Sequence, residues 1–442
     1  MKSILLLLFI FNALNISALG QNENNFTTDG KGFITGYNGE NNFIVIPTQI
    51  NGIPVTSISN SAFKNKTLTN VTIPPSIIFI GDEAFADNNL ISITIHDNVT
   101  VGERAFSNNF ITRLSVGNNV IINSWAFSNN KLTNITIGNS VSLREGAFEN
   151  NHLTRLTIGN NCSIAHDTFK GNNIISIDLG DDNHLQPTSF NNINVYFEYM
   201  SNNRKSGVYD NSINYSVRTE SDYKYIETRY GSVIIQFTRN TESNLMIPNI
   251  LGNSIIRGIG CYIDTEKEFT IGAFEGKRIN SVQIPNSIIF IDNSSFRNNQ
   301  LVSITIPESV TYIGDNAFFN NQLQNVVIGN SVNYIGSHSF FSNVNSTNII
   351  TRVTIGNNVK HIGDYSFTGN QLTNINIPNS VVYVGNSSFE GNKLNSVTIG
   401  NNVNYIGDYA FAYNQITKVF IPNSVNHIGN SAFDDSAVLQ RQ

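Results

Sequence analysis

Apolar and polar positions along this chain alternate locally like those of strands, but the alternation is reset at a much longer interval. In Leu301-Val302-Ser303-Ile304-Thr305-Ile306, the residues Leu301, Ile304 and Ile306 point one way and Thr305 points the other, as a strand requires. Pro or Gly ends such a run in copy after copy, as at Pro74, Gly117, Pro307 and Gly329, and turns the chain. A second short apolar run follows, such as Val310-Thr311-Tyr312-Ile313, closed by Gly314. Asp315 then stands where it can cap a single helical or 3₁₀ turn that drops Ala317 and Phe318 into the core.

The phenylalanine of that turn marks the interval. Phe63, Phe85, Phe106, Phe127, Phe148, Phe169 and Phe190 fall 21 or 22 residues apart; Phe274, Phe296, Phe318, Phe340, Phe367, Phe389, Phe411 and Phe433 resume at 22, with one interval of 27. A unit of this length cannot bury its own apolar face and must stack on its neighbours, which predicts a β-rich solenoid with short turns. Three residues past most of these rings stands an Asn (Asn88, Asn109, Asn130, Asn299, Asn321 and others), read as a buried amide ladder that satisfies the backbone of the turns. The 27-residue interval holds an insertion at Asn343–Asn348, and insertions of this kind map to loops on one face.

Between Phe190 and Phe274 the repeats stop and a second beginning is visible. Phe43-Ile44-Val45-Ile46-Pro47, Ile50-Asn51-Gly52 and Val55-Thr56-Ser57-Ile58 reappear as Asn244-Leu245-Met246-Ile247-Pro248, Ile250-Leu251-Gly252 and Ile256-Arg257-Gly258-Ile259. Open solenoid ends need covering, so a repeated cap predicts two arrays. The expected division is a leader over 1–20, a first cap over 21–58 and a first array over 59–200. A linker and second cap over 201–262, a second array over 263–434 and a tail over 435–442 follow, with the polar stretch Ser201 to Tyr215 as the linker. The leader reads as a secretory signal, with Lys2 ahead of an apolar run from Ile4 to Phe11 and small residues at Ala18-Leu19-Gly20. No later run is long enough to span a membrane as a helix.

Charge adds little and thereby excludes much. Lys and Arg number 26 against 32 Asp and Glu, a net charge of −6, and only 13% of residues are charged. Without a basic run there is no electrostatic footprint for nucleic acid. The two cysteines, Cys162 and Cys261, do not make a disulfide framework; Cys162 occupies the slot of Val120 and Val141 and reads as a small core residue. The seven histidines are scattered over different columns, without a partner at metal-ligand spacing, and there is no phosphate loop or nucleophile motif. No cofactor, metal or catalytic residue is expected.

Two surfaces are candidates for recognition. In the second array the residue before the core Ile or Val is aromatic or imidazole in each unit: Phe290, Tyr312, Tyr334, His361, Tyr383, Tyr405 and His427. In the first array only Phe79 holds that place, and the 21-residue units read as lacking the residue altogether. Stacked coils lie about 4.8 Å apart, so the seven rings form one strip, either a stacking ladder or a platform for a glycan or protein. The second candidate is the concave strand face, where a column of Thr72, Thr94, Ser115, Thr136 and Thr157 runs beside one that contains Arg113 and Arg155. In the second array the latter continues with Arg352 and Lys418. The basic residues interrupt a flat threonine lattice and argue against ice binding.

The repeat I-G-x-x-A-F-x-N-N-x-L-x-x-V-x-I resembles the leucine-rich repeats of the BspA-like surface proteins over nearly all of the chain past the leader. Val310, Ile313, Gly314, Ala317, Phe318, Leu323, Val326 and Ile328 match the family pattern, while Asn321 stands where that family often has Cys and Gly329 replaces Pro. The resemblance implies a non-enzymatic binding or adhesion protein, secreted or retained at the cell surface, with an extracellular protein or glycan as partner. A structural surface-coat component is the alternative.

Overall fold

The computed structural model describes residues 23–441 apart from 191, 211–214, 240–243, 265–268 and 342–348. The expected leader and the insertion at Asn343–Asn348 lie outside the described residues. The chain divides into two compact units, one of the residues up to 199 with 204–213, the other of 200–203 with 214 onward. Each is a stack of coils made of a face strand, a two-residue strand and a turn.

Strand Ser303–Ile306 shows the expected alternation, with Ile304 and Ile306 buried and Ser303 and Thr305 exposed. The phenylalanines stack in two columns, one per unit, with neighbouring ring centroids 4.8–5.6 Å apart and planes within 3–10° of parallel. The step from Phe340 to Phe367 across the long interval is 5.1 Å, so the inserted residues leave the core spacing unchanged.

The turn around Phe85 is built from successive i→i+3 bonds, Ala84 N to Gly81 O at 3.3 Å and Ala86 N to Glu83 O at 3.1 Å. Glu83 between them is left-handed at φ 53°, which keeps the turn from becoming helix. The acidic residue expected to cap its own turn instead reaches the next coil: Asp82 Oδ1 accepts from Glu103 N and Asp315 Oδ1 from Ser337 N, both at 2.8 Å. A left-handed residue recurs two residues past the ring, at Asp87, Asn108, Asn129, Asn150, Asn298 and Asn320. Asn tolerates this conformation better than other side chains, which accounts for part of the Asn-rich composition.

The two-residue strands form continuous parallel sheets in both units, from Ser57–Ile58 to His184–Leu185 and from Phe290–Ile291 to His427–Ile428. The face strands differ between units. In the first they pair without a break from Ser92–Ile95 to Ser176–Leu179; in the second the pairing stops before Ser303–Ile306, Asn374–Asn376 and Lys418–Ile421. Those strands lead into Pro307, Pro378 and Pro422. In the first unit Gly117, Gly138, Gly159 and Gly180 donate their N–H to the preceding coil at 2.8–3.2 Å. Proline has no such donor, so the ladder loses its last rung.

Both units begin with the same cap. Hairpin Phe26–Thr28/Phe33–Tyr37 pairs in parallel with Ser57–Ile58, and hairpin Tyr223–Thr228/Gly231–Phe237 pairs in parallel with Ser254–Ile259. The aromatic triad Phe26, Tyr37 and Phe63 closes the first phenylalanine column, with centroids 5.2–6.3 Å apart. Tyr223, Phe237 and Phe274 repeat it at 5.1–6.4 Å.

The far end of the first unit departs from the sequence reading. Helix Ile193–Ser201 places Tyr196, Phe197 and Tyr199 in the core, and Tyr199 Oη donates to Gly180 O while accepting from Asn183 N, both at 2.8 Å. Strand Gly207–Asp210, inside the stretch read as a linker, pairs antiparallel with Ser176–Leu179 and turns Tyr209 inward. This closing strand was hidden because its single buried side chain carries no periodic signal. Residues read as a tail likewise form strand Val438–Arg441, parallel to Lys418–Ile421.

Candidate binding surfaces

The seven strip residues fall in one in-register column of the second unit. From Tyr312 to His427 each ring stacks on the next, with centroids 4.4–5.1 Å apart and planes within 1–11°. Phe290 and Tyr312 are each only 1% exposed, Tyr334 to Tyr405 are half-buried, and His427 is exposed. Phe290 lies over Gly258, where any Cβ would collide with its ring. Because ring faces meet ring faces, the strip shows solvent mainly its edges and polar tips. Burial raises the Tyr405 hydroxyl above its ordinary range, with Asp408 and Asp364 adding to the shift.

The structure corrects the reading of the 21-residue units. Phe79 pairs with Thr100, Thr100 with Ile121, and the column continues through Ser142, Ser163 and His184. The strip position therefore exists in the first unit, filled by other residue types. The missing residue is the one before it, the counterpart of Ile78 or Thr311. Sequence spacing shows that a residue is absent but not which one; the inter-coil pairing decides.

The strand face carries the other candidates where expected. Arg113 pairs with Ser92, and Arg155 sits between Asn134 and Ser176. In the second unit Arg352 pairs with Asn325 and Lys418 with Val438, on separate sheet fragments. All four side chains are exposed, and the Lys418 amine lies 4.7 Å from the Phe420 ring centroid. Thr72, Thr94, Ser115 and Thr136 are exposed beside them.

A third surface escaped the sequence reading. At the residue two before the core ring, where the turn needs a left-handed backbone, the chain places Trp125, His338, Tyr365 and Tyr409 at φ 54–56°. Bulky side chains are rare in that region. His338 stacks on Tyr365 at 4.8 Å, and Phe319 on Phe341 at 5.6 Å with Arg297 against it. Burial lowers the His338 pKa, opposed by Asp315 and Asp364. Trp125 Nε1 donates to Glu149 Oε2 at 3.0 Å, and the Arg104 guanidinium covers its ring. The aromatic residues at this position, which other coils fill with polar residues or Gly, were the signal available in the sequence.

Both cysteines are free and buried. Cys162 Sγ donates to Gly138 O at 3.2 Å, and burial raises its thiol pKa. Cys261 Sγ lies 3.3 Å from Asp292 Oδ2, and burial together with that carboxylate holds the thiol protonated. Among the described residues no cluster of His, Cys, Asp or Glu is arranged to hold a metal ion.

Coils of this build, with a phenylalanine column and an asparagine ladder inside, define a leucine-rich repeat solenoid, a class typical of binding and scaffold proteins. The family described as "BspA type Leucine rich repeat region" matches in 6 copies over residues 56–177, 267–352 and 346–441, more than half of the chain. The chain belongs to that family. No curated protein sequence matches it. Similar solved structures include a leucine-rich repeat protein from Bacteroides ovatus, with 17% identity, a TM-score of 0.32 and coverage of 95% of this chain and 97% of the other. A leucine-rich cell surface protein from Faecalibacterium prausnitzii aligns with 17% identity, a TM-score of 0.25 and 93% of both chains. The pneumococcal vaccine antigen PcpA aligns with 14% identity, a TM-score of 0.27, 91% of this chain and 79% of its own. At these scores the function of this chain rests on its family and its own residues.

Proposed function

We propose that this chain is an extracellular binding protein, secreted or held at the cell surface, that recognises a protein or glycan through its strand face and catalyses no reaction. The observation that carries this reading is the contrast between its two predicted surfaces. In the strip, rings from Tyr312 to His427 cover one another's faces, so the column spends its aromatic surface on holding coils together. The strand face is exposed, ordered in register and rich in hydroxyl and amide groups, with Arg113 and Arg155 standing above it. Repeat solenoids characteristically present such extended surfaces to partners.

The test is binding of the full chain to panels of extracellular proteins and glycans, comparing Arg113→Ala/Arg155→Ala with Tyr334→Ser/Tyr383→Ser. The strand-face variant should lose binding at unchanged stability, and the strip variant should lose stability at unchanged affinity. The reverse pattern would overturn the assignment to the strand face. Concentration-dependent filaments without any ligand would favour a coat component instead.

A further inference from the structure

The first unit contains a defect in its strand face. Strand Asn70–Thr72 pairs only with Phe43–Val45, and strand Ser92–Ile95 only with the sheet beyond it. The coils are tied at both ends of the gap: Ile91 N donates to Thr69 O at 3.3 Å, and His96 Nε2 meets Ile73 O at 3.1 Å. A carbonyl only accepts, so Nε2 carries the proton in this arrangement. His96 thus stands where other coils have Pro or Gly and replaces a lost backbone rung with a side-chain tie.

Over this gap and the adjoining strand Phe43–Val45 lies a groove of about 340 Å³, lined by Phe43, Asn70, Thr72, Ser92, Thr94 and His96 with Val71, Ile73 and Ile93 beneath. Phe43 is 42% exposed, and Thr72 and Thr94 are exposed beside it. The lining contains no Asp, Glu, Lys or Arg.

We propose that this groove is a binding site for a neutral sugar, the terminal rings of an uncharged oligosaccharide. A phenyl ring offers its negative face to the C–H bonds on the flat side of a pyranose. Threonine and serine hydroxyls and the Asn70 amide supply both donors and acceptors, which suits a ligand covered with hydroxyl groups. The volume lies at the small end of the range for ligand pockets. An added polypeptide strand does not fit: the flanking strands belong to consecutive coils, and an inserted chain would have to cross the ties at Thr69 and Ile73. The site rests on the proposed surface-binding function and narrows the partner of this groove to a glycan.

The experiment screens the full chain against an array of neutral and charged oligosaccharides. Calorimetric titration of the best neutral ligand then compares wild type, Phe43→Ala, Thr94→Val and Tyr383→Ser. Loss of the ring should weaken binding by about tenfold or more, and loss of the hydroxyl by several-fold, while Tyr383→Ser leaves affinity unchanged. Thr94→Val keeps the side chain's volume on an exposed strand position, so it reports on recognition even if Phe43→Ala perturbs the cap. Binding of only charged glycans, or equal affinity in wild type, Phe43→Ala and Thr94→Val, overturns the site. Absence of any glycan binding alongside Arg113/Arg155-dependent capture of a protein overturns the site and leaves the surface-binding function standing.

Discussion

The side-chain amide of Asn130 donates to the Phe106 carbonyl of the preceding coil at 3.0 Å. It also donates to the Phe127 carbonyl of its own coil at 3.1 Å and accepts from Ile111 N at 3.0 Å. One buried side chain thus serves the backbone of two coils. The same set recurs at Asn88, Asn109, Asn299, Asn321 and Asn392. Each amide reaches backward, so the first coil of an array needs none, and Lys66 N is served by Asn88 Oδ1 of the next coil.

Asn130→Leu should therefore be costly. It strands a buried N–H and buried carbonyl oxygens, each worth about 1–3 kcal/mol, and a net loss of about 2–4 kcal/mol is expected by urea denaturation. The exposed neighbour Asn129 also bonds along the stack, Nδ2 to Asn108 Oδ1 at 2.9 Å, from a left-handed backbone at φ 55°. Asn129→Gly keeps that backbone free of strain, and a change within about 0.5 kcal/mol is expected. Equal losses at the two sites would mean that burial does not set the value of the ladder.

The solenoid, its two arrays and the asparagine ladder were legible because each is a periodic signal written many times. What the sequence concealed is what occurs once or depends on contact across coils. Tyr209 on its closing strand has no repeat to announce it. The strip residues were legible as a column, but Thr100 and Ile121 as members of the same column were not, since only pairing with Phe79 fixes their register. The split beside His96 follows from a missing pairing that no local pattern encodes.

Tyr409 sits at φ 55° with 43% of its surface exposed. A non-glycine residue in this region costs about 1–2 kcal/mol, less for Asn. Tyr409→Asn should raise stability by about 0.5–1 kcal/mol in thermal or chemical denaturation. A clear loss would show that the ring's packing along the turn edge outweighs its backbone strain.

Removing one rung from the middle of the strip tests whether it holds the coils. Tyr383 lies between His361 at 4.5 Å and Tyr405 at 4.8 Å. An aromatic pair contributes about 0.5–1.5 kcal/mol beyond burial, so Tyr383→Ser should cost about 1–3 kcal/mol. Coupling should appear in a double-mutant cycle with Tyr405→Ser, where the second truncation costs less because the shared contact is already gone. Additive losses would show that the rings stabilise the fold separately.

His184 offers a pH test in the first unit. Burial, then the positive charge of Arg204 and the influence of His166, hold its pKa down to about 3, against an ordinary 6.5. The folded chain keeps the ring neutral while the unfolded chain protonates it below pH 6.5, so the unfolded state binds more protons between these values. Stability therefore rises with pH across that interval: the contribution is complete above 6.5 and is lost as pH falls toward 3. Part of the side chain reaches solvent, which trims the effect, and a loss of about 2–3 kcal/mol between pH 7 and pH 4 is expected. Backbone hydrogen bonds lower the carboxyl pKa values of Asp29 and Asp181, and their contributions fade at the acid end of the range. Subtracting the profile of His184→Gln from that of wild type isolates the histidine, and a difference that stays flat from pH 7 to pH 4 would show that the ring is not held neutral.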